Sequence, residues 1–333
     1  MQMQTEDEFQ QGVIFLSKAS KNPATTLSAT KSPMQRRWIE FKKNKYLFIL
    51  TIPTIICLAL FYYLPMYGLV ISFMDYKPFL GILDSEWVGF AHFERFFNYA
   101  YFWRIMKNTV LLSIYSLLWG FPAPIILALL LNEVRNQKFK KFVQTVSYMP
   151  HFYSVVVVCG MVTMFLAPTG GLLTRGLEVL GISHNFLSDA RWFRTLYIFS
   201  NVWQNVGWNT IIYLAALTNV DPQLYEAAYV DGASRWRCLW SITLPSIAPT
   251  IITLLIMNVG QMINIGFERA FLLQNPATYQ TSEIISTYVY KAGIQNNSFS
   301  YGSAVGLFNS IVSLILVISA NKVSAKLTET SLW

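Results

Sequence analysis

Six stretches of this chain contain no Asp, Glu, Lys or Arg: Tyr46–Met74, Asn108–Asn132, Phe142–Thr174, Thr195–Val220, Cys238–Phe267 and Ala292–Asn321. Each exceeds the ~20 residues that carry an α-helix across a bilayer core. In hydrocarbon every backbone N–H and C=O must be satisfied internally, and a helix does so within one segment. The pattern predicts an all-α integral membrane protein with six transmembrane helices. Composition agrees, with 13% charged residues against about 25% in soluble domains. The cysteines, Cys57, Cys159 and Cys238, are scattered; they read as small packed hydrophobes, not as a disulfide framework or a metal set.

Charge then sets direction. Residues 1–45 are polar, and Val13–Leu16 is too short for the ~7–15-residue apolar core of a signal peptide. The first span is expected to stay as an anchor, behind a leader that is poorly ordered up to Pro33. With a cytoplasmic N-terminus, segments 1–45, 133–141, 221–237 and 322–333 face inward and hold sixteen of the 25 Lys and Arg residues. The outer segments 75–107, 175–194 and 268–291 hold nine. Acidic residues divide almost evenly, so basic residues alone carry the asymmetry. This is the positive-inside pattern, and it puts both termini and the 221–237 loop in the cytoplasm. The formal net charge of +8 follows from topology and anionic lipid at the inner face, not from nucleic acid. The expected organisation is a basic leader (1–45), a six-helix membrane domain (46–321) and a short tail (322–333).

Two of the runs carry a polar stripe. At 100° per residue, Asn201, Gln204, Asn205, Trp208 and Asn209 share an arc of about 140°, and Asn258, Gln261, Asn264 and Glu268 one of about 120°. A single buried amide is usually interhelical glue, worth about 0.6–2 kcal/mol. A whole set with Trp203 and Trp208 interleaved suits the wall of an aqueous cavity better. Amides beside aromatic faces fit a neutral, hydroxyl-rich solute such as a sugar. The candidate substrate path is Trp203, Gln204, Asn205, Trp208, Asn258, Gln261 and Asn264.

Absences narrow the function. No ionisable residue lies deep in a span, where ion-coupled pumps place one. There is no G-x-x-x-x-G-K-[ST] loop, so energy for active transport must come from another polypeptide. His92, His151 and His184 lack metal-ligand spacing, and no G-x-S-x-G elbow occurs. His151, after Pro150, reads as a capping or lipid-interface residue. A membrane enzyme is disfavoured, and a channel or ion-coupled carrier remains as a rival.

One polar insert interrupts the hydrophobic pattern, "NVDPQLYEAAYVDGASRWRCLWSITLPSIAP" (219–249). Asp221 followed by Pro222 predicts an N-cap with proline at the first helical position. Gly232 supplies a left-handed stop. A second helix starts after Ala233, with Trp236 and Trp240 as interfacial anchors. Pro245 and Pro249 are expected to break or redirect the chain as it enters the fifth span.

This insert resembles the coupling signature of ABC-transporter membrane subunits: Glu-Ala-Ala, three residues, Gly, nine residues, then Ile-x-Leu-Pro. Here it is Glu226-Ala227-Ala228, Gly232, and Ile242-Thr243-Leu244-Pro245, with Asp231 inside the motif. "WVGFAHFERFF" with "FWRIMKNTV" (87–110) and "YMPHFYSVVVV" (148–158) are similar to the carbohydrate-importer branch, the maltose-type and polysaccharide-type permeases. The resemblance implies the maltose-type permease fold, a second homologous permease, two cytoplasmic ATPases that use ATP and Mg, and an extracytoplasmic solute-binding protein. It implies no cofactor on this chain and no catalytic residue. Glu226 would contact the ATPase, Ala227 and Ala228 would let it dock closely, and Gly232 would set the bend. The implied cargo is an oligo- or polysaccharide, with a peptide or amino acid as the alternative; scattered Arg and Lys in the outer loops admit acidic, uronate-type sugars.

Overall fold

The computed structural model describes residues 44–260 and 266–328. Most of the leader, Gln261 and Asn264 lie outside the described residues. The chain divides into two units at Gly68/Leu69. In the first, helix α1 (Lys45–Leu58) runs into a π turn, Ala59–Tyr63. The turn ends where the Leu64 N–H bonds Ala59 O, one residue before Pro65. Proline has no N–H and crowds the carbonyl four residues back, and the wider turn accommodates both defects.

The second unit opens with an antiparallel hairpin, β1 (Met74–Lys77) and β2 (Gly81–Trp87). Its turn needs Gly81 at φ +73°. The hairpin is tied to the C-terminal helix region, where Ser300 Oγ accepts from Tyr76 N–H at 2.8 Å. Helices α2 (Ala91–Phe97), α3 (Phe102–Gly120), α4 (Pro122–Glu133), α5 (Gln137–Tyr148), α6 (Val155–Phe165) and α7 (Leu172–Val179) follow. Next come α8 (Phe193–Thr218), α9 (Pro222–Val230), α10 (Arg235–Cys238), α11 (Leu244–Gly260) and α12 (Phe267–Leu273). The last are α13 (Tyr279–Ser282), α14 (Ile285–Val289) and α15 (Phe299–Thr328).

Among the described residues four helical stretches are long and apolar enough to cross a membrane: Lys45–Phe73, Phe102–Glu133, Arg235–Val259 and Phe299–Lys322. A fifth is possible as a broken span, because Gln137–Phe152 and Val155–Phe165 meet at 100°. Pro150 withholds an N–H, Tyr153 and Ser154 are extended, and the Ser154 hydroxyl caps α6 by accepting from Val157 N–H. The uncharged run Thr195–Val220 is the 26-residue helix α8, about 39 Å long, whose amides hold its apolarity below the others.

Helix α8 is the hub of the second unit, packing against α3, α4, α5, α6, α11 and α12. Its approach to α5 is backbone on backbone: a Cβ on Gly207 would overlap the Ser147 carbonyl. Beside an apolar core that includes Ile105, Leu112 and Val158, many polar side chains are buried and many large apolar ones exposed. Asn108, Thr109, Ser113, Ser200, Gln204, Thr210 and Arg269 are buried, whereas Trp103, Trp119, Phe199 and Ile212 are exposed. Buried polar groups together with an apolar outer surface suit a lipid surround. Asn108 donates to Gln280 O and Glu283 O at 2.9 and 3.1 Å, and Glu283 pairs with Arg104 at 2.7 Å. These contacts pin the segment around α13 and α14 to α3.

Two expectations are corrected here. Prolines 245 and 249 do not break the helical stretch Arg235–Val259. A π turn at Leu239–Thr243, closed by Leu244 N–H to Leu239 O, absorbs Pro245 as the earlier turn absorbs Pro65, and Pro249 lies inside α11. The polar arc does not extend from Asn258 to Glu268: Gly266 (φ −47°, ψ 97°) leaves helical geometry, and Glu268 lies in the first turn of a separate helix, α12.

Candidate functional site

A cavity of about 920 Å³ opens beside α8, within the ~300–1,000 Å³ typical of ligand clefts. Helix α8 contributes Tyr197, Asn201, Gln204, Asn205 and Asn209. Ser113, Ser116 and Gly120 come from α3, His151, Tyr153 and Ser154 from the α5–α6 bend, Asn258 from α11, and Phe267, Glu268 and Arg269 from α12. The polar part of the wall is thus amide, hydroxyl and imidazole, with one carboxylate and one guanidinium, beside apolar Leu117, Val155 and Phe267.

The expected path residues take different places. Asn205 donates from Nδ2 to Asn201 O and Oδ1, both at 3.1 Å, and its Oδ1 lies 3.1 Å from His151 Nδ1. Trp208 is off the wall but stacks on the His151 ring at 4.5 Å and 7°. Trp203, 39% exposed, is also off the wall. Gln204 is 4% exposed and spent at both ends: Nε2 donates to Tyr153 O at 2.8 Å, and Oε1 accepts from Arg269 Nη2. Asn258 lines the cavity while its Nδ2 bonds Leu254 O one turn back.

Two wall residues, His151 and Arg269, escape sequence reasoning. Read from its neighbours, His151 belongs at the lipid interface; the 100° bend turns it inward instead. Charge counting puts Arg269 in an outer loop, yet it is 4% exposed, with Nη1 donating to Ser200 Oγ at 3.0 Å. Its one sequence signal is its position immediately after Glu268, the last member of the polar stripe.

The 219–249 loop forms a second feature. Asp221 Oδ1 accepts from Gln223 N–H at 2.9 Å and starts α9. The helix closes with Ala233 N–H to Ala228 O at 2.9 Å and Gly232 N–H to Tyr229 O at 3.1 Å, around Gly232 at φ +76°. Only Gly takes that conformation without strain. Ser234 then caps α10. Tyr225 OH lies 3.0 Å from Thr243 Oγ1, linking α9 to the π turn of the Ile242-Thr243-Leu244-Pro245 segment. Glu226, Ala227, Asp231, Gly232 and Pro245 are exposed, and Ala228, Ile242 and Leu244 half-buried. Beside them Val230 is 88% exposed, an apolar side chain presented by a helix that buries none of its own residues.

A helical membrane fold with a polar interior cavity and an exposed helix–bend–helix loop defines the membrane component of a transport system. Residues 120–328 match the binding-protein-dependent transport system inner membrane component family, and the chain belongs to it. It is 48% identical over 304 residues to the polygalacturonan/rhamnogalacturonan transport system permease protein YteP of Bacillus subtilis (strain 168), covering 91% of this chain and 95% of that protein. Protein LplB of the same organism is 45% identical over 293 residues, covering 88% and 92%. Among solved structures, a bacterial alginate ABC transporter in complex with alginate pentasaccharide-bound periplasmic protein matches with a TM-score of 0.83 and 43% identity, over 89% of this chain and all of that one.

Proposed function

We propose that this chain is a transmembrane subunit of an ATP-driven ABC importer that moves an oligo- or polysaccharide bearing uronate-type sugars into the cytoplasm. The observation that carries this reading is the cavity beside α8, whose amides, hydroxyls and imidazole suit a hydroxyl-rich chain. Relatives named for polygalacturonan/rhamnogalacturonan transport and for alginate support the acidic cargo. Within that reading the spans number six, counting α8 and the bent Gln137–Phe165 pair, and the basic residues place both termini inside. Asn205, Asn258, Gln261 and Asn264 would meet the cargo, with Trp208 backing His151 and Trp203 facing lipid or a partner.

The partners are a second homologous permease, two cytoplasmic ATPases that hold ATP and Mg, and an extracytoplasmic solute-binding protein. Exposed Glu226, Ala227 and Val230 on α9 would form the ATPase contact, with Ala228 and Gly232 shaping it and Asp231, Ile242, Leu244 and Pro245 supporting it. Closure of the ATPase pair would shift this loop and switch the bundle between inward- and outward-facing states. In proteoliposomes holding the full complex, uptake of a labelled galacturonate oligomer should require ATP, the binding protein and this chain. ATP-driven uptake of peptides with none of saccharides would overturn the reading.

A further inference from the structure

Arg269 is a buried cation in a wall otherwise made of neutral groups and one exposed carboxylate, Glu268. Among the described residues no carboxylate lies within ion-pair distance of it. Its two hydrogen bonds go to neutral acceptors on α8, Ser200 Oγ and Gln204 Oε1. Gln204 is itself held, because its Nε2 donates to Tyr153 O at 2.8 Å. The guanidinium is therefore pinned from behind, and its remaining N–H groups have no protein acceptor among the described residues. A buried charge without a counter-ion is costly; here it stands on the wall of a cavity large enough to admit one.

We propose that Arg269 is a specificity-determining residue that reads the negative charge of the cargo, holding a sugar carboxylate on its free N–H edge, with Gln204 and Ser200 as positioning residues. This deepens the reading above and rests on it. Guanidinium and carboxylate match in shape and can pair through two parallel hydrogen bonds. Amides and hydroxyls along α8 would hold the ring hydroxyls while Arg269 distinguishes a uronate from its neutral counterpart.

The test is a ratio measured on the complete transporter in proteoliposomes: uptake of a galacturonate oligomer divided by uptake of the same oligomer with its carboxyls reduced to alcohols. Arg269→Gln should lower that ratio at least about tenfold, the size expected for losing a charge-assisted hydrogen bond. Gln204→Glu is a second variant that gives the guanidinium an internal carboxylate, at the loss of the hydrogen bond to Tyr153 O. It should lower the ratio in the same direction, and it covers the case in which Arg269→Gln does not assemble. A ratio unchanged in Gln204→Glu, or both substrates slowed equally in either variant, overturns the proposal and leaves the importer reading standing. A wild-type complex that moves neither oligomer overturns both.

Discussion

Gly207 shows how much one missing side chain can decide. The position faces the Ser147 carbonyl so closely that a methyl group there would overlap it, and no flexible side chain is available to yield. Gly207→Ala should push α5 from α8, with an overpacking cost of about 1–3 kcal/mol. The detergent-solubilised protein should melt several degrees lower; an unchanged melting temperature would mean the helices are not in backbone contact. Since α5 leads into the bend that carries His151, the same variant should disturb the His151–Trp208 stack. Gly232 is a different case: nothing crowds it, and it is required only for its backbone angle.

At the scale of elements, the loop 219–249 is a set of local devices acting in sequence: Asp221 starts α9, Gly232 ends it, Ser234 starts α10, and a π turn passes Pro245. Each depends on neighbours within five residues, which is why most are legible in the residue order itself. The exception is the π turn, because proline's defect can be relieved by a break, a kink or a wider turn, and packing chooses among them. Tyr225, which no local pattern singles out, bonds across this turn to Thr243. Gly232→Ala places a side chain in the left-handed region, at about 1–2 kcal/mol, and Tyr225→Phe removes the link to Thr243. Both should lower the saccharide imported per ATP hydrolysed by the reconstituted complex. If that stoichiometry holds in both variants, the loop does not couple the two processes.

For the molecule as a whole, orientation is the next quantity to measure. In a variant lacking Cys57, Cys159 and Cys238, cysteines introduced at Ser234 and at Leu83 of β2, both exposed, should react with a membrane-impermeant maleimide from opposite sides, Ser234→Cys from the cytoplasm. Labelling of both from one side would contradict the charge asymmetry. The uncharged runs determined by themselves a membrane-embedded helical chain, and the spacing from Glu226 to Pro245 its likeness to the coupling signature of ABC permeases. Partition into lipid and helix capping act on short stretches, so they leave their mark in the order of residues. Which amides are free was decided only by tertiary structure. Gln204 looks like Asn205 along the helix, yet Tyr153 and Arg269 consume both its ends. His151 and Arg269 reach α8 from positions far away in the chain, through a 100° bend and the break in helical geometry at Gly266. Convergence of that kind depends on where helices cross, and no local pattern encodes a crossing.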